Sequence, residues 1–185
     1  MGYDPNGTWN WGGFILGFGI VAATVITVAT FGVGSAAGAM VAMAAIATGT
    51  TMMAAAATDS TLVIDASIRL SDGTNTMSAG VSLVIDFDSG GAELYHHVGI
   101  AEGNSSGITY STGIVSNYDG YESYSGAFVQ GGVNFMGVGV NHCFDPIVTD
   151  HKDAVQATTI TFGSPNQLFG YGHGFDWYFS PIRLH

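Results

Sequence analysis

The chain is 185 residues long, enough for one ordinary domain, or a modest domain with an appended segment, and enough to bury a core without disulfide or metal staples. Its charge is lopsided, with 3 Lys and Arg against 14 Asp and Glu and a formal net charge of −11. Arg69, Lys152 and Arg183 are too few for a basic patch, which excludes nucleic-acid binding and polybasic attraction to anionic lipid.

No charged region precedes the first apolar stretch, so the N-terminus does not read as a secretory signal. Met1-Gly2 reads as a start placed on an excised fragment, and export then depends on something outside the chain. From Pro5 to Thr58 there is no charged residue and no His. Within that run, Phe14 to Phe31 and Ala36 to Ala57 each approach the roughly 20 residues that cross a bilayer as a helix. Gly32-Val33-Gly34-Ser35 breaks between them, which predicts a helical hairpin. Gly13 and Gly17, and Gly34 and Gly38, place small residues one turn apart for close helix approach. Trp9 and Trp11 stand where amphipathic rings favour a membrane interface. Against insertion, Thr24, Thr27, Thr30, Thr48, Thr50 and Thr51 dilute the apolar character, so helices buried beneath a sheet remain the other reading.

After Asp59 the period changes to two. Met77, Ala79, Val81, Leu83, Ile85 and Phe87 share one face of a strand, and Ser78, Gly80, Ser82, Val84 and Asp86 share the other. Asp88 to Gly91 reads as a turn into a partner strand from Ala92 to Ala101, and Asn104 to Gly107 as the next turn before Ile108 to Tyr118. Thr61 to Leu70, Phe128 to His142, Val155 to Phe162 and Leu168 to Phe179 are the further strands. In the last, Phe169, Tyr171, His173, Phe175, Trp177 and Phe179 oppose Gly170, Gly172 and Gly174, a pattern that permits close approach or a tight curl. The expected fold class is α+β: an apolar hairpin over residues 1–58, then an antiparallel meander, sandwich or small barrel of about seven strands over 59–185.

Tyr3-Asp4-Pro5-Asn6-Gly7, followed by Trp9 and a Gly/Ala-rich apolar run to Ala57, resembles the junction in Rhs/YD-repeat polymorphic toxins. In these secreted bacterial proteins an Asp-Pro-x-Gly-like motif ends the core and a variable C-terminal toxin follows. Tyr110 to Tyr118 and Asn141 to Pro146 also look like Gly- and Tyr-rich C-terminal regions of such proteins. The resemblance implies delivery to a target cell and a partner immunity protein; it implies no reaction and no catalytic residue.

Chemistry-bearing residues are sparse. Cys143 is the single cysteine, forms no internal disulfide and reads as a small buried hydrophobe. Its neighbour His142 points to the opposite face of a strand, which argues against a Cys-His pair unless His96, His97 or His173 supplies the base. His142, Asp145, His151 and Asp153 offer metal-type ligands without zinc-signature spacing, and the pair His96-His97 divides between faces. Asp86 to Gly90 reads as a hairpin turn rather than a calcium loop. Glu93, Glu102, Asp119 and Glu122 are the carboxylates available for glycoside cleavage. P-loop, dinucleotide, nucleophile-elbow and zincin motifs are absent, and no cofactor is indicated.

The leading expectation is therefore a C-terminal effector module, secreted or delivered, that acts on a target-cell membrane through its hairpin. The alternatives are an enzymatic toxin using His96, His97, His142, Asp145, His151 and Asp153, and a structural protein that packs against further copies of itself as a homo-oligomer.

Overall fold

The computed structural model describes residues 11–32, 36–58, 60–103, 106–120, 123–148, 153–163 and 169–184. Two helices come first, α1 (Trp11–Phe31) and α2 (Ala36–Ala57). They match the expected hairpin in extent, with α1 beginning three residues before Phe14, but not in the apolar character expected of it. Gly32 ends α1 with φ +70°, the left-handed conformation that closes helices and that glycine adopts without penalty. The helices touch through Gly17 and Gly49: a Cβ on Gly17 would stand 2.5 Å from the Gly49 carbonyl oxygen, and one on Gly49 2.6 Å from that of Gly17. Close backbone approach is the reason for both glycines. Among the described residues no helix is long and apolar enough to cross a membrane, which corrects the expectation of membrane-spanning helices.

The strands are β1 (Thr61–Ser71), β2 (Asn75–Asp86), β3 (Gly91–Glu102), β4 (Gly107–Ser116), β5 (Gly126–Phe135), β6 (Val138–Phe144), β7 (Gln156–Gly163), β8 (Phe169–Tyr178) and the short β9 (Ile182–Leu184). They follow the spatial order β2-β1-β4-β7-β6-β5-β8-β3, and β3 pairs back onto β2 to close an eight-stranded antiparallel barrel. β9 adds three residues to β3 beyond the end of β8. The expected antiparallel β architecture holds, and of the meander, sandwich and small barrel it left open the barrel is what forms; the expected count of about seven does not hold. The strand foreseen from Phe128 to His142 is two, because Met136 (φ 51°) and Gly137 (φ 83°) form a two-residue hairpin turn. The order is not a meander. β4, β5 and β8 each lie three positions away from the strand before them, as in Greek keys.

The hairpin lies against the outside of the barrel. Met52 and Ala55 of α2 bury Leu62 of β1, with Ile20, Ile64, Ile85 and Phe87 packed around them. Burying each large side chain is worth about 2 kcal/mol, enough to hold the helix there. Thr48 donates its hydroxyl proton to Ala44 O at 2.8 Å, which leaves its oxygen to accept from Tyr110 OH at 2.5 Å. Thr112, beneath α2, is fully buried.

Candidate functional site: an apolar outer wall around a polar lumen

Alternation along each strand sends one set of side chains into the barrel and the other out. The register identifies the sets. Val63, Asp65, Ser67 and Arg69 of β1 stand opposite Val84, Ser82, Gly80 and Ser78 of β2. Asp65 and Ser67 also stand opposite Ser111 and Thr109 of β4. This polar set faces the lumen. The complementary set is apolar and faces out: Ile68, Leu70, Met77, Val81, Val98, Ile100, Ile108, Val133, Phe135, Val138, Val140, Ile160, Phe175 and Trp177 are all exposed. Every one of the eight strands contributes, so the apolar wall runs around the barrel and is interrupted where α2 covers it. The outer side of the hairpin continues it with exposed Ile15, Leu16, Phe18, Val41 and Met43.

Charge follows the opposite rule. Asp65, Arg69, Glu93 and Asp176 point inward, and the outward ion pair of Glu102 with His173 (3.3 Å) sits at a strand end. A soluble barrel places its polar residues outside; this distribution is inverted. Exposed apolar patches beyond a few hundred Å² mark interaction or membrane surfaces in proteins generally.

Inside, the lumen is closed at one end. Tyr124, from the segment joining β4 to β5, packs with Tyr95, Phe128 and Tyr178 at ring-centroid separations of 5.7, 4.9 and 4.8 Å. Val63, Val84, Val115, Cys143 and Ala157 complete this floor, so Cys143 is the buried hydrophobe expected of it. Beneath it, the buried Glu93 Oε2 accepts the phenol protons of Tyr95 (2.6 Å) and Tyr118 (2.7 Å). Burial, reinforced by the Glu93 carboxylate, holds the Tyr118 phenol above its ordinary range.

Above the floor the lumen is polar. His97 Nε2 lies 2.6 Å from Asp65 Oδ2, which also accepts Ser82 Oγ–H at 2.7 Å, and the His97 ring stacks on Tyr178 at 4.8 Å. Ser78 Oγ–H donates to Asp176 Oδ1 at 3.3 Å. Asn141 Nδ2 donates to Gln130 Oε1 at 3.1 Å. An inner chamber lined by Asp65, Arg69, His97, Gln130, Asn141 and Asp176 continues into an outer one lined by Arg69, Thr76, Glu102, Asn134 and Thr161. Gly132, Gly139 and Gly172 widen the outer chamber, since each occupies an inward position with no side chain.

The residues singled out in sequence are dispersed. His97 faces the lumen, whereas His96 faces out beside Phe179. His142 is on the outer wall, its Nδ1 2.9 Å from Thr158 Oγ1. Asp145 Oδ1 accepts Ile147 N–H at 2.8 Å in a loop, Asp153 is exposed, and His151 lies outside the described residues. The barrel wall separates His97 from His96 and His142, and Asp145 and Asp153 lie in loops, so the described members are not brought together. Among the described residues no cluster of three or more His, Cys, Asp or Glu could hold a metal ion. Asp86 accepts Asp88 N–H (3.2 Å) and Ser89 N–H (3.3 Å), the hairpin turn expected there. Glu93 and Glu102 lie at opposite ends of β3, Asp119 is exposed, and Glu122 is outside the described residues.

Of the hairpin residues, Gly17 meets Gly49, and a Cβ on Gly13 would strike the Phe87 ring at 2.3 Å. Trp11 opens α1 and Gly38 lies within α2, while Trp9 and Gly34 are outside the described residues. Sequence reasoning passed over Asp65, Arg69, Gln130 and Asp176, although Asp65 and Arg69 occur at alternate positions on the polar face of β1. No protein-family model, curated protein or solved structure matches this chain.

Proposed function

We propose that the chain is a membrane-embedding module whose barrel wall, rather than its helical hairpin alone, meets the lipid. The observation that carries this reading is the exposed apolar wall on all eight strands around a polar lumen. That pattern is the one lipid imposes, because an outward charge in hydrocarbon is costly while a lumen side chain is not. Closure matters as much, since an open sheet edge would leave backbone groups unsatisfied in the bilayer. Strands of 10 to 12 residues for β1 to β5 and β8 have the length a tilted strand needs to cross. The closed floor makes the barrel a cup rather than a channel. The junction motif at Asp4 to Gly7 lies outside the described residues, and on it rests the wider proposal: an effector delivered to a target-cell membrane, with an immunity protein as its neutralising partner.

The Greek-key order favours a second reading, because membrane barrels ordinarily run up and down. In that reading further copies of the chain cover the wall. One experiment separates the two. The full chain, carrying Trp9→Phe and Trp11→Phe, is refolded with phospholipid vesicles that contain brominated acyl chains. Quenching of Trp177 and co-flotation with vesicles after alkaline washing are expected. Unquenched protein in a discrete oligomer without lipid would reject the membrane reading and support assembly.

A further inference from the structure

Arg69 sits in the lumen with its Nε–H buried and unsatisfied, although its charge acts on Asp176 and His97. It lines both chambers, its Nε–H is buried, and no hydrogen bond or ion pair joins it to a described residue. Arg69 as a whole is half-buried, yet a guanidinium N–H that is itself buried ordinarily has a carbonyl or carboxylate beside it. Here the nearby carboxylates share the inner chamber with Arg69 but none forms an ion pair with it among the described residues. Asp65 is paired with His97 and Glu102 with His173, while Asp176 stands in the same register row as Arg69, takes the Ser78 hydroxyl and feels the Arg69 charge without forming an ion pair with it.

A second unpartnered group lines the same space: His97 is buried to 4% exposure, and its Nδ1 has no hydrogen-bond partner. Gln130, whose oxygen is taken by Asn141, keeps its amide N–H groups for the lumen. Thr76, Asn134 and Thr161 add uncharged polar groups around the outer chamber. Arg69 is the one cation among the residues lining that chamber; Glu102, paired with His173, is its one carboxylate, and neither Asp65 nor Asp176 lines it.

We propose that the lumen is a binding site for a small carboxylate-bearing molecule, gripped by the Arg69 guanidinium and seated on the Gln130–Asn141 pair. The planar fork of Arg matches a carboxylate in two parallel hydrogen bonds. A monoanion suits the site better than a phosphate dianion, because Asp65 and Asp176 share the inner chamber with Arg69 and Glu102 lines the outer one. The site is independent of what covers the outer wall, so it stands or falls separately from the membrane reading.

The test uses the full chain folded in detergent micelles. The chain contains two arginines, Arg69 and Arg183, so its Nε–Hε nuclear magnetic resonance spectrum has two signals, assigned with Arg183→Gln. Acetate is titrated, with inorganic phosphate and glucose as comparison probes at equal ionic strength. Acetate is expected to shift the Arg69 signal saturably, leave Arg183 unmoved and raise the melting temperature. Phosphate should act at least tenfold more weakly and glucose not at all. Arg69→Lys should weaken acetate binding about tenfold or more, since it keeps the charge without the fork. Arg69→Gln should fold and lose the acetate-dependent rise. Equal, unsaturable drift of both arginine signals, or saturation by glucose or phosphate in preference to acetate, would overturn the proposal. So would an Arg69→Gln variant that fails to fold while Arg69→Lys folds, since Arg69 would then serve the barrel itself.

Discussion

Single residues reveal which face of each element matters. Tyr124 closes the floor at 1% exposure and contacts three other rings. Tyr124→Ala should cost about 3–5 kcal/mol, as removal of a large buried aromatic does, read as a lowered denaturation midpoint with unchanged slope. Asp72 works differently, in the open turn between β1 and β2. Its carboxylate accepts Thr74 N–H (2.9 Å) and Asn75 N–H (2.7 Å), and these bonds hold its pKa below the ordinary value. A carboxyl depressed by folding contributes stability above its unfolded pKa and loses it as pH falls through the folded value. Asp72→Asn should therefore be less stable than the native chain near neutral pH, and the difference should vanish in acid below the folded pKa. Parallel melting curves across that range would sink this account.

At the scale of elements, the hairpin and the strands differ in how much of them was legible. Both helices could be read from an uncharged run broken at Gly32, because helix length and a breaker are local properties. Their partner surfaces could not. Gly13-x-x-x-Gly17 is visible as small-residue spacing, yet Gly17 meets Gly49 and Gly13 meets Phe87, neither of which the spacing names. Gly49→Val should drive a side chain into the Gly17 carbonyl and force α1 away from α2. Amide hydrogen exchange should rise in both helices while the strands stay protected, and uniform exchange would show that the hairpin and barrel unfold as one unit. The β5–β6 turn escaped the sequence for a different reason. Met136-Gly137 carries only the glycine of the usual Asn-Gly signal, so an apolar run conceals the reversal.

For the whole molecule, the deciding feature is which way the alternation faces. Val98 lies in the middle of the outer wall, opposite Ala79 of β2 and Trp177 of β8. In a bilayer, Val98→Arg should cost about 2–4 kcal/mol, measured by unfolding from vesicles. On a water-exposed wall the same change should stay within about 0.5 kcal/mol. A small effect in vesicles would remove the wall from the hydrocarbon.

The sequence by itself determined the helical hairpin, the antiparallel strands, nearly all of their spans and the absence of a basic surface, because length, period and charge are properties of the chain. It also sorted the strand from Met77 to Phe87 into an apolar and a polar face, and the last strand into an aromatic and a glycine face. Only the tertiary structure decided that the apolar face turns outward and the polar face encloses Asp65, Arg69, His97 and Asp176, since a period of two is identical for either direction. Strand order, the separation of His97 from His96 and His142 by the barrel wall, and the unsatisfied Nε–H of Arg69 likewise depend on contacts between distant segments, which no local pattern records.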